Sequence, residues 1–133
     1  MTLAQQVAGW TVAIDGPAGS GKSTVSKRVS EALRLKLVDT GAMYRAVALF
    51  ADRRGVEFGD PAGVRELIGG LSFDFEMRDG QNHTFVNGED ISGHIRTPQI
   101  AQQASRCAAI PLVRELLLEA QRAFARDQGA VLE

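Results

Sequence analysis

The segment Gly16-Pro-Ala-Gly-Ser-Gly-Lys-Ser23 sets its glycines, a lysine and a hydroxyl at the spacing G-x-x-x-x-G-K-[ST]. Glycines let the backbone curl until successive N–H groups face one point, which suits phosphate oxygens. A helix starting directly after such a loop adds the positive end of its dipole at the same spot. Lys22 is expected to reach the β- and γ-phosphates of a nucleoside triphosphate and to act as the catalytic cation, while the Ser23 hydroxyl is expected to ligand Mg²⁺. Gly16, Pro17, Ala18, Gly19, Ser20, Gly21 and Thr24 complete the expected phosphate cradle. Asp15 has two readings, one near the magnesium shell and one as the end of a strand; the second is preferred.

The loop specifies a triphosphate but not its fate. A GTPase needs a guanine-reading N-K-x-D segment, and neither Lys27 nor Lys36 sits in one. Asp60-Pro-Ala-Gly63 satisfies D-x-x-G formally, yet it precedes a helical pattern instead of following a strand. Val38-Asp-Thr-Gly-Ala-Met-Tyr-Arg45 is more informative. On a helix Arg45 lies about 200° from Met43, away from the apolar stripe. A planar guanidinium there can grip a phosphate with two parallel bonds, which a lysine cannot. The residues alone leave the alternative open: Thr40 as a simple helix N-cap and Arg45 as a solvated surface charge.

These residues need a scaffold, and hydrophobic periodicity outlines one. Trp10 to Asp15 reads as a buried strand ahead of the loop, and Leu35 to Asp39 as a second. Val25, Val29, Ala32 and Leu33 form one helical stripe; Met43, Ala46, Val47, Phe50 and Ala51 form another, stopped by Arg53-Arg54-Gly55. Leu71, Phe73, Phe75 and Met77 then alternate with polar residues, the period of a strand with one wet face. The turn dipeptides Asp79-Gly80 and Asn87-Gly88 flank His83 to Val86, which predicts a small antiparallel meander. A helix is expected from Thr97-Pro98 to Ala108. Another opens at Pro111, with the stripe Val113, Leu116, Leu117, Ala120 and Phe124. After Gln128-Gly129, the residues Ala130 to Glu133 begin a buried strand.

The length of 133 residues fits one domain. Fifteen Lys and Arg against sixteen Asp and Glu give a net charge of −1, so the basic excess of a nucleic-acid-coating protein is missing. Cys107, the single cysteine, excludes an intrachain disulfide and reads as a small packed helical residue. The apolar N-terminal stretch carries no Lys or Arg before Lys22 and is interrupted by Gln5 and Gln6. It lacks the charged start of a secretory signal and is too short to span a bilayer, so a cytoplasmic location without membrane partners is expected.

The phosphate loop with its preceding Ile-Asp, then Asp39-Thr-Gly-Ala-Met-Tyr-Arg45, Val86-Asn-Gly-Glu-Asp-Ile-Ser92 and Ile95-Arg-Thr97, resemble the bacterial cytidylate kinases, in order, from about Thr11 to Glu133. The resemblance implies an α/β fold of the P-loop nucleoside monophosphate kinase type, a three-layer parallel sheet with an antiparallel monophosphate-binding insert. Its core would lie at about 10–40 and 108–133 and the insert at about 41–107. It implies transfer of the ATP γ-phosphate to CMP, and to dCMP, with Mg²⁺. It also implies an acceptor pocket containing Asp39, Thr40, Tyr44, Arg45, Ser105 and Arg114. Beside those roles stand plainer ones: Ser105 as a helix-packing residue, Arg114 as a surface partner of Glu115 or Asp127, and His83 and His94 as ordinary residues of the insert. The similar enzymes continue past Glu133 with a Gly-Arg-Asp segment, further strands and an arginine-bearing lid. The chain is therefore expected to be the N-terminal part of such a kinase, the C-terminal part of the fold missing, its parent a monomer. As a fragment it is expected to leave a strand without its neighbours, exposing an unpaired edge, and to self-associate. Other readings are a different small-metabolite P-loop kinase, or a nucleotide-binding fragment without catalysis.

Overall fold

The computed structural model describes residues 2–7, 9–16 and 20–133. Pro17, Ala18 and Gly19, members of the expected phosphate cradle, lie outside the described residues. The chain runs through a short helix α1 (Leu3–Gln6), strand β1 (Thr11–Ala13), helix α2 (Lys22–Leu33), strand β2 (Lys36–Val38), and helices α3 (Thr40–Arg54) and α4 (Pro61–Gly69). Strands β3 (Phe73–Arg78), β4 (Gln81–Val86) and β5 (Glu89–Asp90) follow, then helices α5 (Pro98–Ala108) and α6 (Pro111–Gln128), and strand β6 (Ala130–Leu132). The result is a mixed α/β architecture with two separate three-stranded sheets among the described residues, one parallel and one antiparallel.

The parallel sheet has the order β1-β6-β2, with Val131 in register with both Val12 and Leu37. As expected, the last segment is a buried strand: β6 is the middle strand, and Ala130 and Val131 are fully buried. One expectation changes. The strand before the phosphate loop is an edge rather than a buried strand, with Thr11 and Ala13 exposed, because β1 has no partner on its outer side among the described residues. Side chains alternate across this sheet. Leu37 and Val131 pack with Val7 and Leu35 on one face, beside Val29 and Leu33 of α2; Val38 and Ala130 join α3 and α6 on the other.

Helix α2 departs from its predicted stripe. Val25 is 50% exposed, whereas Ser26 and Ser30 are buried. Each serine returns its hydroxyl to its own helix, Ser26 Oγ to Lys22 O and Ser30 Oγ to Lys27 O, both at 2.8 Å. Small, internally satisfied side chains thus form the buried positions of this helix, at no cost of an unpaired buried hydroxyl.

The antiparallel sheet follows its turn chemistry. Asp79 (φ 51°) and Gly80 (φ 77°) join β3 to β4, and Asn87 (φ 51°) and Gly88 (φ 83°) join β4 to β5, each pair left-handed as the tight hairpin turn requires. His83 Nδ1 lies 2.8 Å from Asp90 Oδ2, and the Ser92 N–H donates to Asp90 Oδ1 at 3.0 Å. Desolvation raises the Asp90 pKa, but the bonds to Ser92 and His83 outweigh it and hold the carboxyl down at about 2. This sheet covers the outer edge of β2: Asn82 Nδ2 donates to Leu37 O at 2.7 Å, and Lys36 Nζ meets Asp74 Oδ1 at 2.8 Å. One hydrophobic core runs from Val38 through α3, α4 and α6 to Phe75 and Val86. Phe75 meets Phe124 of α6 edge to face, with ring centroids 5.7 Å apart.

Candidate active site

The three parallel strands bring an acid each to one end of the sheet: Asp15 after β1, Asp39 after β2 and Glu133 after β6. They line a cavity of about 580 Å³ that also holds Lys22, Ser23 and Thr40. Ligands of open α/β sheets bind at this carboxyl end of the strands. The backbone reaches the site by a steep entry into α2. Gly21 adopts φ 84°, a left-handed conformation open to glycine, and α2 begins without a side-chain cap. Its first N–H groups therefore have no side-chain acceptor from the N-cap residue, the arrangement that suits a phosphate. Asp15 does more than end a strand, since its Oδ1 accepts the Gly16 N–H at 2.8 Å while the residue lines the cavity. Ser20 and Thr24 are exposed.

Ser23 Oγ donates to Glu133 Oε1 at 2.8 Å. The bond uses the hydroxyl proton and leaves the oxygen lone pairs for another partner. No group of three or more His, Cys, Asp or Glu capable of holding a metal occurs among the described residues. A magnesium ion does not need one, because it keeps several waters and takes one or two protein oxygens together with substrate phosphates. Ser23 and Asp15 offer hard oxygens of that kind in one cavity, where Glu133 already accepts the Ser23 hydroxyl.

Asp39 and Thr40 exchange one expected role. Asp39 is the N-cap of α3, its Oδ1 accepting the Ala42 N–H at 3.0 Å. Thr40 is the first helical residue, and its Oγ1 and N–H both donate to Glu133 O, at 2.6 and 3.2 Å. Arg45 is exposed on the side of α3 away from Met43, which is 1% exposed. It lines a second, smaller cavity of about 50 Å³ with Asp39, Asn82, Thr84, Ser92 and Arg96. Neither Lys22 nor Arg45 is held in an ion pair among the described residues.

Tyr44 and Arg114 are brought within electrostatic reach of each other. Burial pushes the Tyr44 phenol above its ordinary pKa and the Arg114 charge draws it partway back, so the hydroxyl remains a neutral donor. Arg114 pairs with neither Glu115 nor Asp127; the latter lies near Arg126 instead. Ser105 is exposed on α5, its Oγ turned back to Ala101 O at 3.2 Å, and it belongs to neither cavity. Cys107 is fully buried, and burial raises its pKa to about 11, so it packs as an inert thiol.

Among the charged and amide side chains of the larger cavity, sequence reasoning missed Lys27, Gln81, Asn82, Arg96 and Glu133. Glu133 had a usable signal, an acid at the end of a buried apolar strand. Asn82 and Arg96 come from the antiparallel sheet and the segment after it, and no local pattern points them at the phosphate loop.

A sequence profile described as cytidylate kinase matches residues 12–133. A cytidylate kinase from Pelotomaculum thermopropionicum is 46% identical over 123 residues, which is 92% of this chain and 54% of that protein. One from Syntrophotalea carbinolica is 45% identical over 122 residues, 92% of this chain and 52% of that protein. A bifunctional pantoate ligase/cytidylate kinase from Synechococcus elongatus is 43% identical over 129 residues, 92% of this chain and 24% of that protein. The chain thus spans about half the length of the curated cytidylate kinases it matches.

Proposed function

Because the chain belongs to the cytidylate kinase family, we propose that the whole protein transfers the γ-phosphoryl group of ATP to CMP, and to dCMP, releasing ADP and the diphosphate. The observation that carries this reading is the meeting, in one cavity, of the end of a phosphate loop (Lys22, Ser23) with the start of α3 (Asp39, Thr40). Two anionic substrates that repel each other need such a junction. In this reading residues at about 10–40 and 108–133 form the core of a three-layer nucleoside monophosphate kinase fold, and about 41–107 the monophosphate-binding insert.

The loop and the first turn of α2 cradle the ATP phosphates, and Lys22 neutralises charge on the γ-phosphate. Arg45 takes the phosphate of the acceptor, and the family resemblance assigns Tyr44, Ser105 and Arg114, which lie outside both cavities, to further contacts with the nucleotide. One phosphate oxygen of CMP forms the new bond to the γ-phosphorus, and the bond from that phosphorus to the β–γ bridging oxygen breaks. The acceptor phosphate has a second pKa of about 6 and is mostly dianionic at neutral pH, so no general base is required. Ser23, with Glu133 orienting its hydroxyl and Asp15 lining the same cavity, would hold a magnesium ion, which would supply positive charge against the ATP phosphates. What remains for the protein is alignment and charge compensation.

A coupled ADP-release assay on the full-length protein with CMP, dCMP, UMP and AMP tests the proposal. Turnover should be highest with the cytidine nucleotides and should vanish when magnesium is chelated. Preference for AMP, or ADP release indifferent to any acceptor, would overturn it.

A further inference from the structure

The junction of the two cavities has a wall that neither the phosphate loop nor α3 supplies. Arg96 lines both the larger cavity with Lys22 and Ser23 and the smaller one with Arg45. Its backbone is anchored on both sides. Ile95 before it is 5% exposed and packs in the main core, its N–H bonded to the O of fully buried Ile91 at 3.2 Å. Thr97 after it caps α5, its Oγ1 accepting the Ile100 N–H at 3.2 Å. The Arg96 side chain is exposed and has no hydrogen bond or ion pair among the described residues, although Asp39 lines the same two cavities.

A guanidinium carries five donors, and a second one, Arg45, faces the same small space. That space of about 50 Å³ is large enough to admit a small anionic group between the two arginines, since about 10–15 Å³ of such volume already holds a water. Two like charges at one cavity without a carboxylate partner repel each other until an anion enters between them. We propose that Arg96 is a second phosphate-gripping arginine of the acceptor site: with Arg45 it clamps the phosphate of the nucleoside monophosphate and turns it toward the γ-phosphoryl group in the adjoining cavity. This rests on the kinase reading above and adds a residue to it.

Steady-state kinetics of the full-length protein and its Arg96→Ala and Arg96→Lys variants test the assignment. Losing a charged hydrogen-bond donor should raise KM for CMP by about 10- to 100-fold in Arg96→Ala. The KM for ATP should stay within about twofold, since that interaction is made with the acceptor alone. The melting temperature should not move, and Arg96→Lys, which keeps the charge but loses the fork, should fall between alanine and wild type. Unchanged kcat/KM for CMP in Arg96→Ala overturns the inference and leaves the kinase reading intact. So does an equal rise in both KM values accompanied by a lower melting temperature and no recovery in the lysine variant, which would mark Arg96 as structural. Wild-type protein that ignores CMP altogether fails the kinase reading and takes this inference with it.

Discussion

Lys22 and Arg45 sit on different helices with their charges uncommitted to any carboxylate among the described residues, which is the state a cation needs to receive an anionic ligand. Their proposed partners differ, so their substitutions should separate. Lys22→Ala in the full-length protein should lower kcat by at least about 100-fold, because the developing charge on the transferred group loses its main side-chain cation. Arg45→Ala should weaken CMP binding by about 10- to 100-fold and ATP binding little. Calorimetric titration of each nucleotide against each variant reads the split. Near-normal turnover of the lysine variant would remove the phosphate-loop assignment, and equal losses of both nucleotides from the arginine variant would make Arg45 structural.

Among the elements, β6 carries the greatest responsibility for the site. It pairs with both β1 and β2, and Glu133 at its end binds Ser23 through its carboxylate and Thr40 through its carbonyl. The turn that launches it is tightly constrained. Gly129 has φ 73° and ψ 151°, a region closed to side-chain-bearing residues. A Cβ there would meet the Gly9 nitrogen at 2.7 Å and Leu35 Cδ2 at 2.9 Å. Gly129→Ala should therefore destabilise the fold by about 2–5 kcal/mol, the sum of a backbone conformation the new residue rejects and a clash with backbone. Urea denaturation measures it. A loss below about 0.5 kcal/mol, the range of an innocuous surface change, would mean the strand can start from another geometry.

At the scale of the whole molecule, the two edges of the parallel sheet are treated differently. The antiparallel sheet closes the β2 edge through Asn82 and Lys36. The β1 edge is open among the described residues, and Trp10 just before it is 57% exposed. An unpaired edge is a template for pairing with another chain. Expressed as these 133 residues, the chain should self-associate in a concentration-dependent way through β1 rather than through β6. Sedimentation velocity of the chain and of Ala13→Lys, which puts a charge on that edge, should show less association in the variant. A monodisperse chain at all concentrations, or association indifferent to Ala13, would count against the edge.

Much of this protein is decided within a few residues of each position. The motif G-x-x-x-x-G-K-[ST] ahead of α2 is read from glycine spacing. The turns at Asp79-Gly80 and Asn87-Gly88 follow from residues that tolerate positive φ, and α5 starts where Thr97 can cap and Pro98 can open a helix. Such features depend on local backbone preference, and periodicity exposes them. The residues that complete the site do not: Ser23 and Glu133 lie 110 positions apart, and Thr40 and Glu133 lie 93 apart. Their meeting depends on β6 inserting between β1 and β2, and the burial of Ser26 rather than Val25 depends on how α2 packs on that sheet. Arg96 joins Arg45 because Ile95 is buried in the main core and α5, which Thr97 opens, packs against α3. Hydrophobic pattern states that a segment must be buried, not which segment lies beside it; strand order and the docking of the second sheet are settled by packing of the whole chain, and the tertiary structure alone decided them.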